Sequence, residues 1–150
     1  MKFDKYGLIP ALRDNLERLG FKRPTDIQYK AISPILKGED VLAIAQTGTG
    51  KTAAFAIPVI QIMSTSPHLP EPGSMRCLVM VPTHELAIQI ANVFKELATG
   101  TGLKVIGLYG GVEQDPQIAH LKNGVDVLVA TPGRMFDLAA QKHLNFKSVQ

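Results

Sequence analysis

Val41-Leu42-Ala43-Ile44-Ala45-Gln46-Thr47-Gly48-Thr49-Gly50-Lys51-Thr52 is the stretch on which the fold turns. Its first five residues form a short continuous apolar run, which predicts a strand buried on both faces. From Ala45 to Thr52 the pattern is that of a phosphate-binding loop, with Ala45 at the first glycine position. Gly48 and Gly50 let the backbone turn tightly and aim successive N–H groups at phosphate oxygens. A helix predicted from Lys51 to about Met63, with Pro58 as a local irregularity, adds the positive end of its dipole. The Lys51 ammonium suits β- and γ-phosphates, and the Thr52 hydroxyl suits Mg²⁺. The bland alternative is a glycine-rich turn ahead of a helix; a strand before and a helix after favour the nucleotide site.

Upstream, Ile9, Leu12, Leu16 and Leu19 recur at helical spacing, and Gly20 is a stop. Thr25 to Leu36 reads as a second helix closed by Gly38, with Pro34 expected to kink or shorten its last turn. Thr25-x-x-Gln28 is a capping box and needs no ligand. Gln28 has a second reading, because its amide offers an acceptor and a donor together to an adenine edge.

Downstream, Ser64 to Ser74 holds three prolines and one glycine and reads as a surface loop. Strands are expected at Cys77–Val81, Val105–Leu108 and Val127–Ala130. A helix is expected over Thr83–Ala98, with Leu86, Ile90, Val93 and Leu97 on one face. Asp115-Pro116 and Thr131-Pro132 open two more, each with a capping residue followed by proline. The second of these runs to about Gln141. Strands alternating with helices predict an α/β fold with a mainly parallel sheet, binding ligands at the carboxyl ends of its strands.

Composition excludes several classes. One cysteine, Cys77, allows no internal disulfide and no cysteine cluster for zinc, and is simplest as a small core residue. No apolar run reaches the roughly 18 residues of a membrane span. The N-terminal residues lack a signal peptide's apolar stretch. The expectation is a cytoplasmic protein that makes no use of a membrane. A net charge of +3 permits a nucleic-acid partner without demanding one. His68, His84, His120 and His143 show no metal spacing and read as solvated.

Three further segments carry two readings each. In Pro82-Thr83-His84-Glu85-Leu86, Thr83 is a natural N-cap and Glu85 suits the first turn's dipole, yet exposed N–H groups at a helix start also hold nucleic-acid phosphates. Arg134, in Thr131-Pro132-Gly133-Arg134, is either solvated or on a phosphate. Gly110-Gly111 is a flexible turn or a place of close backbone approach.

Taken in order, these segments resemble the first RecA-like domain of the DEAD-box ATP-dependent RNA helicases, over essentially the whole chain. Phe3 and residues 20–28 match that family's Q motif, and residues 45–52 its motif I. Residues 82–89 match motif Ia, Gly110-Gly111 the glycine doublet, and residues 131–134 motif Ib. The fold class implied is a RecA-like phosphate-loop NTPase. The resemblance implies that Phe3 stacks on adenine and Gln28 reads its edge. Phe21, Lys22, Thr25, Ala45, Gln46, Thr47, Gly48, Thr49 and Gly50 complete the ATP site, with Lys51 and Thr52 on the phosphates and Mg²⁺. Pro82, Thr83, Glu85, Gly110, Gly111, Thr131, Pro132, Gly133 and Arg134 would line the path of one RNA strand, with little sequence preference.

Two departures qualify the resemblance. His84 stands where the family usually has arginine, and no Asp-Glu-Ala-Asp or Ser-Ala-Thr motif occurs in the sequence. The expectation is therefore a partial first domain (1–150), cut before the Asp-Glu-Ala-Asp motif, with four strands and exposed sheet edges. Its second RecA-like domain would be a partner elsewhere in a parent chain, and turnover by the fragment negligible. The rivals are a small kinase or GTPase, although the guanine-reading Asn-Lys-x-Asp is absent, and a non-catalytic ATP- or RNA-binding module.

Overall fold

A computed structural model of the chain describes residues 2–46, 48, 50–66 and 69–150. Thr47 and Thr49 of the expected phosphate loop, and His68, lie outside the described residues. The chain divides into two compact units, Met1–Ser66 with Val93–Gly102, and Pro67–Asn92 with Leu103–Gln150.

The first unit is helical. A 3-10 helix at Phe3–Tyr6, which no periodicity announced, precedes α1 (Pro10–Arg18), α2 (Asp26–Leu36) and α3 (Lys51–Thr65). Pro10 enters α1 in its first turn, where the missing N–H costs nothing. Asn15, 5% exposed, donates its amide to the carbonyls of Leu97 and Thr99 at 2.8 and 2.7 Å. The Leu97 carbonyl ends α4 (His84–Leu97), a helix with residues in both units, and Thr99 lies in the turn after it, so a buried polar side chain here satisfies a helix terminus.

The capping box of α2 is complete. Thr25 Oγ1 accepts from the Gln28 N–H at 3.5 Å, and Gln28 Oε1 accepts from the Thr25 N–H at 3.0 Å. Pro34 sits in the last turn, and the helix ends two residues later at Leu36. In α3, Ala53, Ala54, Ala56, Ile57, Ile60 and Met63 are buried. Pro58 does not stop it, and the helix continues to Thr65, beyond the expected end at Met63.

Val41–Ala45 is not a strand. It has no regular secondary structure and no strand pairing, and Leu42 and Ile44 are 91% and 88% exposed. An apolar run specifies a strand only when a neighbour supplies the ladder of hydrogen bonds, and among the described residues none does. Among the described residues the sheet accordingly has three strands where four are expected.

The second unit holds that sheet. Its strands, β1 (Met75–Met80), β2 (Val105–Leu108) and β3 (Val125–Ala130), are all parallel in the order β1-β3-β2. The central β3 is valine-rich and buried except at Asp126. On one face, Leu108, Leu128 and Ala130 pack with Leu121 of α5 (Asp115–Leu121) and Met135 and Leu138 of α6 (Pro132–Ala140). The expected face of α4 is shifted. Ala87, Ala91, Phe94 and Leu97 are buried, while Leu86, Ile90 and Val93 are half-buried. The small side chain at Ala91 permits close approach, since a Cβ on Gly107 of β2 would stand 3.6 Å from its methyl.

Two more details depart from expectation. Gln114, not Asp115, is the N-cap of α5, with Asp115 and Pro116 both inside the first turn. Thr131 does cap α6, but without a side-chain hydrogen bond. Arg76 of β1 and Asp126 of β3 form a largely buried ion pair at 3.2 Å. Asp126 also accepts from the Lys104 N–H at 2.8 Å, and Arg76 Nε donates to Gln150 Oε1 at 3.2 Å. The final residues run back along this edge, where the Gln150 N–H donates to the Arg76 carbonyl at 2.9 Å.

Candidate functional site

In the first unit, two sequence segments meet at Gly50. The Gln28 side chain, 1% exposed, donates Nε2–H to the Gly50 carbonyl at 3.2 Å. Its Oε1 is held by the cap at Thr25, so one amide ties the start of α2 to the turn that starts α3. The capping reading of Gln28 is thus met, and one lone pair and one N–H remain for other partners. Gly50 has φ +82° and is the N-cap of α3. That φ favours glycine, and a Cβ there would lie 2.4 Å from Gln28 Nε2 and push the Gln28 amide off its bond. Lys51 and Thr52 follow as the first two helical residues, Lys51 exposed and Thr52 half-buried. The N–H groups of that first turn have no intrahelical acceptor and carry the positive end of the dipole.

Phe3 is 5% exposed, with its ring 6.3 Å from those of both Phe21 and Tyr6. Phe3, Phe21 and Lys22, with Arg13 and Glu17, line a cleft of about 850 Å³. Thr25 and Ala45 line a smaller one of about 350 Å³ with Ile44. The residues expected around the base are thus divided between two hollows of the same unit. The Lys5 ammonium lies 4.1 Å from the ring centroid of Tyr29 and 4.9 Å from that of Tyr6. Burial, with a smaller contribution from Tyr29, raises the Tyr6 hydroxyl's pKa above its ordinary value.

The second unit carries the other cluster. Met80 and Leu108 both stand in register with Ala130, so the three strands end on one row. The next N–H groups extend it, Val81 to the Ala130 carbonyl and Thr131 to the Leu108 carbonyl, each at 2.9 Å. Pro82-Thr83, Tyr109 to Val112 and Thr131 to Arg134 therefore leave the sheet side by side. This is the end where a parallel sheet binds ligands. Pro82, Thr83, Glu85, Gly111 and Gly133 are exposed, and Gly110, Thr131, Pro132 and Arg134 half-buried. Thr83 is the expected cap of α4, its Oγ1 accepting from the Leu86 N–H at 3.2 Å.

Arg134 is half-buried and engaged, rather than merely solvated. Its Nη1 donates to Gln117 Oε1 and its Nη2 to the Val112 carbonyl, both at 2.8 Å. Gln117, 7% exposed, donates Nε2–H to the Tyr109 carbonyl at 3.1 Å. The loop bearing Gly110-Gly111 is so held at both ends. His84 is not a simply solvated histidine, because its ring stacks on Tyr109 at 4.2 Å and 25°. Sequence reasoning missed Tyr109, Val112 and Gln117. The one signal was a lone glutamine on the inner side of a short helix.

Among the described residues, no cluster of three or more His, Cys, Asp or Glu side chains could hold a metal ion. Mg²⁺ carried by a nucleotide asks less of the protein, one or two hard oxygens beside the phosphates, and the Thr52 hydroxyl at a helix N-terminus fits that need.

The sequence model of the DEAD/DEAH box helicase family matches residues 25–150. The chain belongs to that family. It is 42% identical to the ATP-dependent RNA helicase RhlB of Vibrio parahaemolyticus over 99% of its own length and 35% of that protein's. It is 39% identical to the ATP-dependent RNA helicase DBP10 of Saccharomyces cerevisiae, spanning 15% of it. A DEAD box protein from Methanococcus jannaschii has a similar structure, with TM-score 0.88 and 38% identity over the whole chain and 40% of the neighbour. A hypothetical ATP-dependent RNA helicase from Sulfolobus tokodaii matches at TM-score 0.78 and 35% identity, over 89% of this chain and 37% of that one. This member of the family thus spans about a third of the Vibrio relative. Among the described residues, no helix is long and apolar enough to cross a membrane.

Proposed function

We propose that the chain is the ATP-binding and RNA-contacting part of a cytoplasmic ATP-dependent RNA helicase, acting with a second RecA-like domain. The observation that carries this reading is the Gln28–Gly50 hydrogen bond. It joins the segment suited to an adenine edge to the turn suited to phosphates. In this reading Phe3, Phe21 and Lys22 attend the base, Thr25 and Gln28 fix the base-reading amide, and Ala45 to Gly50 wrap the phosphates. Lys51 neutralises phosphate charge and Thr52 offers its hydroxyl to Mg²⁺, which supplies further charge neutralisation when bound. Pro82, Thr83, Glu85, Gly110, Gly111, Thr131, Pro132, Gly133 and Arg134 form the RNA face. Backbone N–H groups and small residues there suit sugar–phosphate contacts, which carry little sequence information.

Hydrolysis needs groups that orient water and help hold the metal. The sequence contains no Asp-Glu-Ala-Asp tetrapeptide, so turnover by these residues alone is expected to be negligible. The test is binding of a fluorescent ADP with Mg²⁺, competed by ATP and by GTP, on the chain and its Lys51→Ala variant. Competition by ATP but not GTP, with affinity lost in the variant, supports the proposal. Equal competition by GTP, or an unaffected variant, sinks it. A helicase-range hydrolysis rate would overturn the expectation about turnover.

A further inference from the structure

We infer that Gln117 is a positioning residue for the RNA face: it sets the Gly110-Gly111 loop and the Arg134 guanidinium in one fixed arrangement. The inference rests on the RNA reading above and adds to it a residue that would touch no RNA. Gln117 lies on α5 and is 7% exposed. Its two amide ends are spoken for by groups of opposite kind. Arg134 Nη1 can only donate, so it must face Oε1, at 2.8 Å. The Tyr109 carbonyl can only accept, so it must face Nε2, at 3.1 Å. The amide orientation is therefore dictated by its partners, and no other natural side chain of that length supplies both an acceptor and a donor.

The consequence is a closed circuit. Tyr109 ends the run out of β2, Val112 lies beyond the glycine pair, and Arg134 is in the first turn of α6. Arg134 Nη2 holds the Val112 carbonyl at 2.8 Å, and Gln117 holds Tyr109. Gly110 and Gly111 are thus suspended between two anchored residues. Glycines without such anchors would lose much of any backbone contact to conformational freedom. Gln117 also fixes Arg134 so that the remaining guanidinium donors keep one direction. The Gln114–Gln141 amide pair, bonded reciprocally at 3.3 and 3.2 Å, joins the start of α5 to the end of α6 and steadies the same frame.

The test uses Gln117→Met, which keeps volume and removes both hydrogen bonds, and Gln117→Glu, which keeps an acceptor for Arg134 but turns a second acceptor on the Tyr109 carbonyl. Three readouts are taken: affinity for a labelled single-stranded oligouridylate, affinity for fluorescent ADP, and ¹⁵N order parameters of the Gly110 and Gly111 amides. The expected result for Gln117→Met is an oligouridylate affinity lower by about tenfold, because the unanchored glycines must then be ordered on binding. ADP affinity should stay within about twofold, and the glycine order parameters should fall towards the flexible range below about 0.6. Gln117→Glu should also loosen the glycines, because the Tyr109 anchor is gone.

Glycine amides that stay rigid in both variants overturn the inference. So do RNA and ADP affinities that fall together with the melting temperature, which would mark a general packing role. Loosened glycines with unchanged RNA affinity overturn its functional half. A parent chain that binds no oligouridylate overturns the RNA reading itself, and the amides, which report on Gln117 without RNA, tell that failure apart.

Discussion

Gln28 donates to the Gly50 carbonyl across 3.2 Å while its own carbonyl oxygen closes the cap of α2 at Thr25. Gly50 is consequently the less replaceable glycine of its turn. An alanine there meets Gln28 at 2.4 Å and adopts φ +82°, whereas Gly48, at φ +78°, has no described atom within 4 Å of a built Cβ. Gly50→Ala should cost about 1–3 kcal/mol and lower nucleotide affinity at least tenfold. Gly48→Ala should cost only about 1 kcal/mol of backbone strain. Denaturation with parallel ADP titration measures both; equal effects would mean the Gln28 contact is immaterial.

The Arg76–Asp126 pair should dominate the charge contribution to stability. Its side chains are 3% and 15% exposed, against 68% and 82% for Lys30 and Asp26. Removing one partner of a buried pair leaves an uncompensated charge, which costs about 3–5 kcal/mol. Asp126→Ala should therefore destabilise by that order, and Asp26→Ala by less than about 1 kcal/mol. Urea denaturation of the two variants decides, and similar midpoints would refute the ranking.

Cys77 is half-buried rather than a core residue, yet it should be chemically quiet. Burial pushes its thiol up to about 11, so little thiolate exists at pH 8. Alkylation by iodoacetamide should run on the order of a hundredfold slower than for an exposed cysteine. The same shift has a stability consequence. The folded state holds the thiol proton more tightly than the unfolded state, so this contribution is full below about pH 9 and is lost as pH rises through about 11. The parent should lose stability over that window more steeply than Cys77→Ala.

Leu42 and Ile44 present two large apolar side chains to solvent from a stretch without strand pairing. Such a segment is a template for pairing with another copy. Sedimentation should show self-association growing with concentration, and Leu42→Lys with Ile44→Lys should suppress it at little cost in melting temperature. A parent that stays monomeric at millimolar concentration would contradict this.

What the sequence showed of the fold follows from how local each signal is. Val105–Leu108 was legible to the residue because a β-rich run sits between clear punctuation, and Thr25-x-x-Gln28 because both partners of a capping box lie within one turn. Val41–Ala45 misled for the complementary reason: apolarity says that a segment would accept a strand partner, and only the tertiary structure says whether one is there. The face of α4 was misjudged because alanines at 87 and 91 carry little weight in a hydrophobic pattern yet pack most closely. At the candidate sites, the capping role of Gln28 was readable from spacing, while the strand-end loops carried two readings each. Gln117 was not readable, because its meaning depends on Arg134, 17 residues away in sequence.

Met80, Ala130 and Leu108 sharing one row has a bearing on how such a surface changes over time. The chain leaves the sheet at three neighbouring points, and the pairing bonds behind that row do not involve the residues ahead of it. Replacements among Pro82, Thr83, Gly133 and the other exposed positions alter what the surface meets while the strands keep their register. Novelty in recognition and persistence of the strand register thereby fall largely to different residues, and they meet at Thr131, whose N–H still pairs with the Leu108 carbonyl.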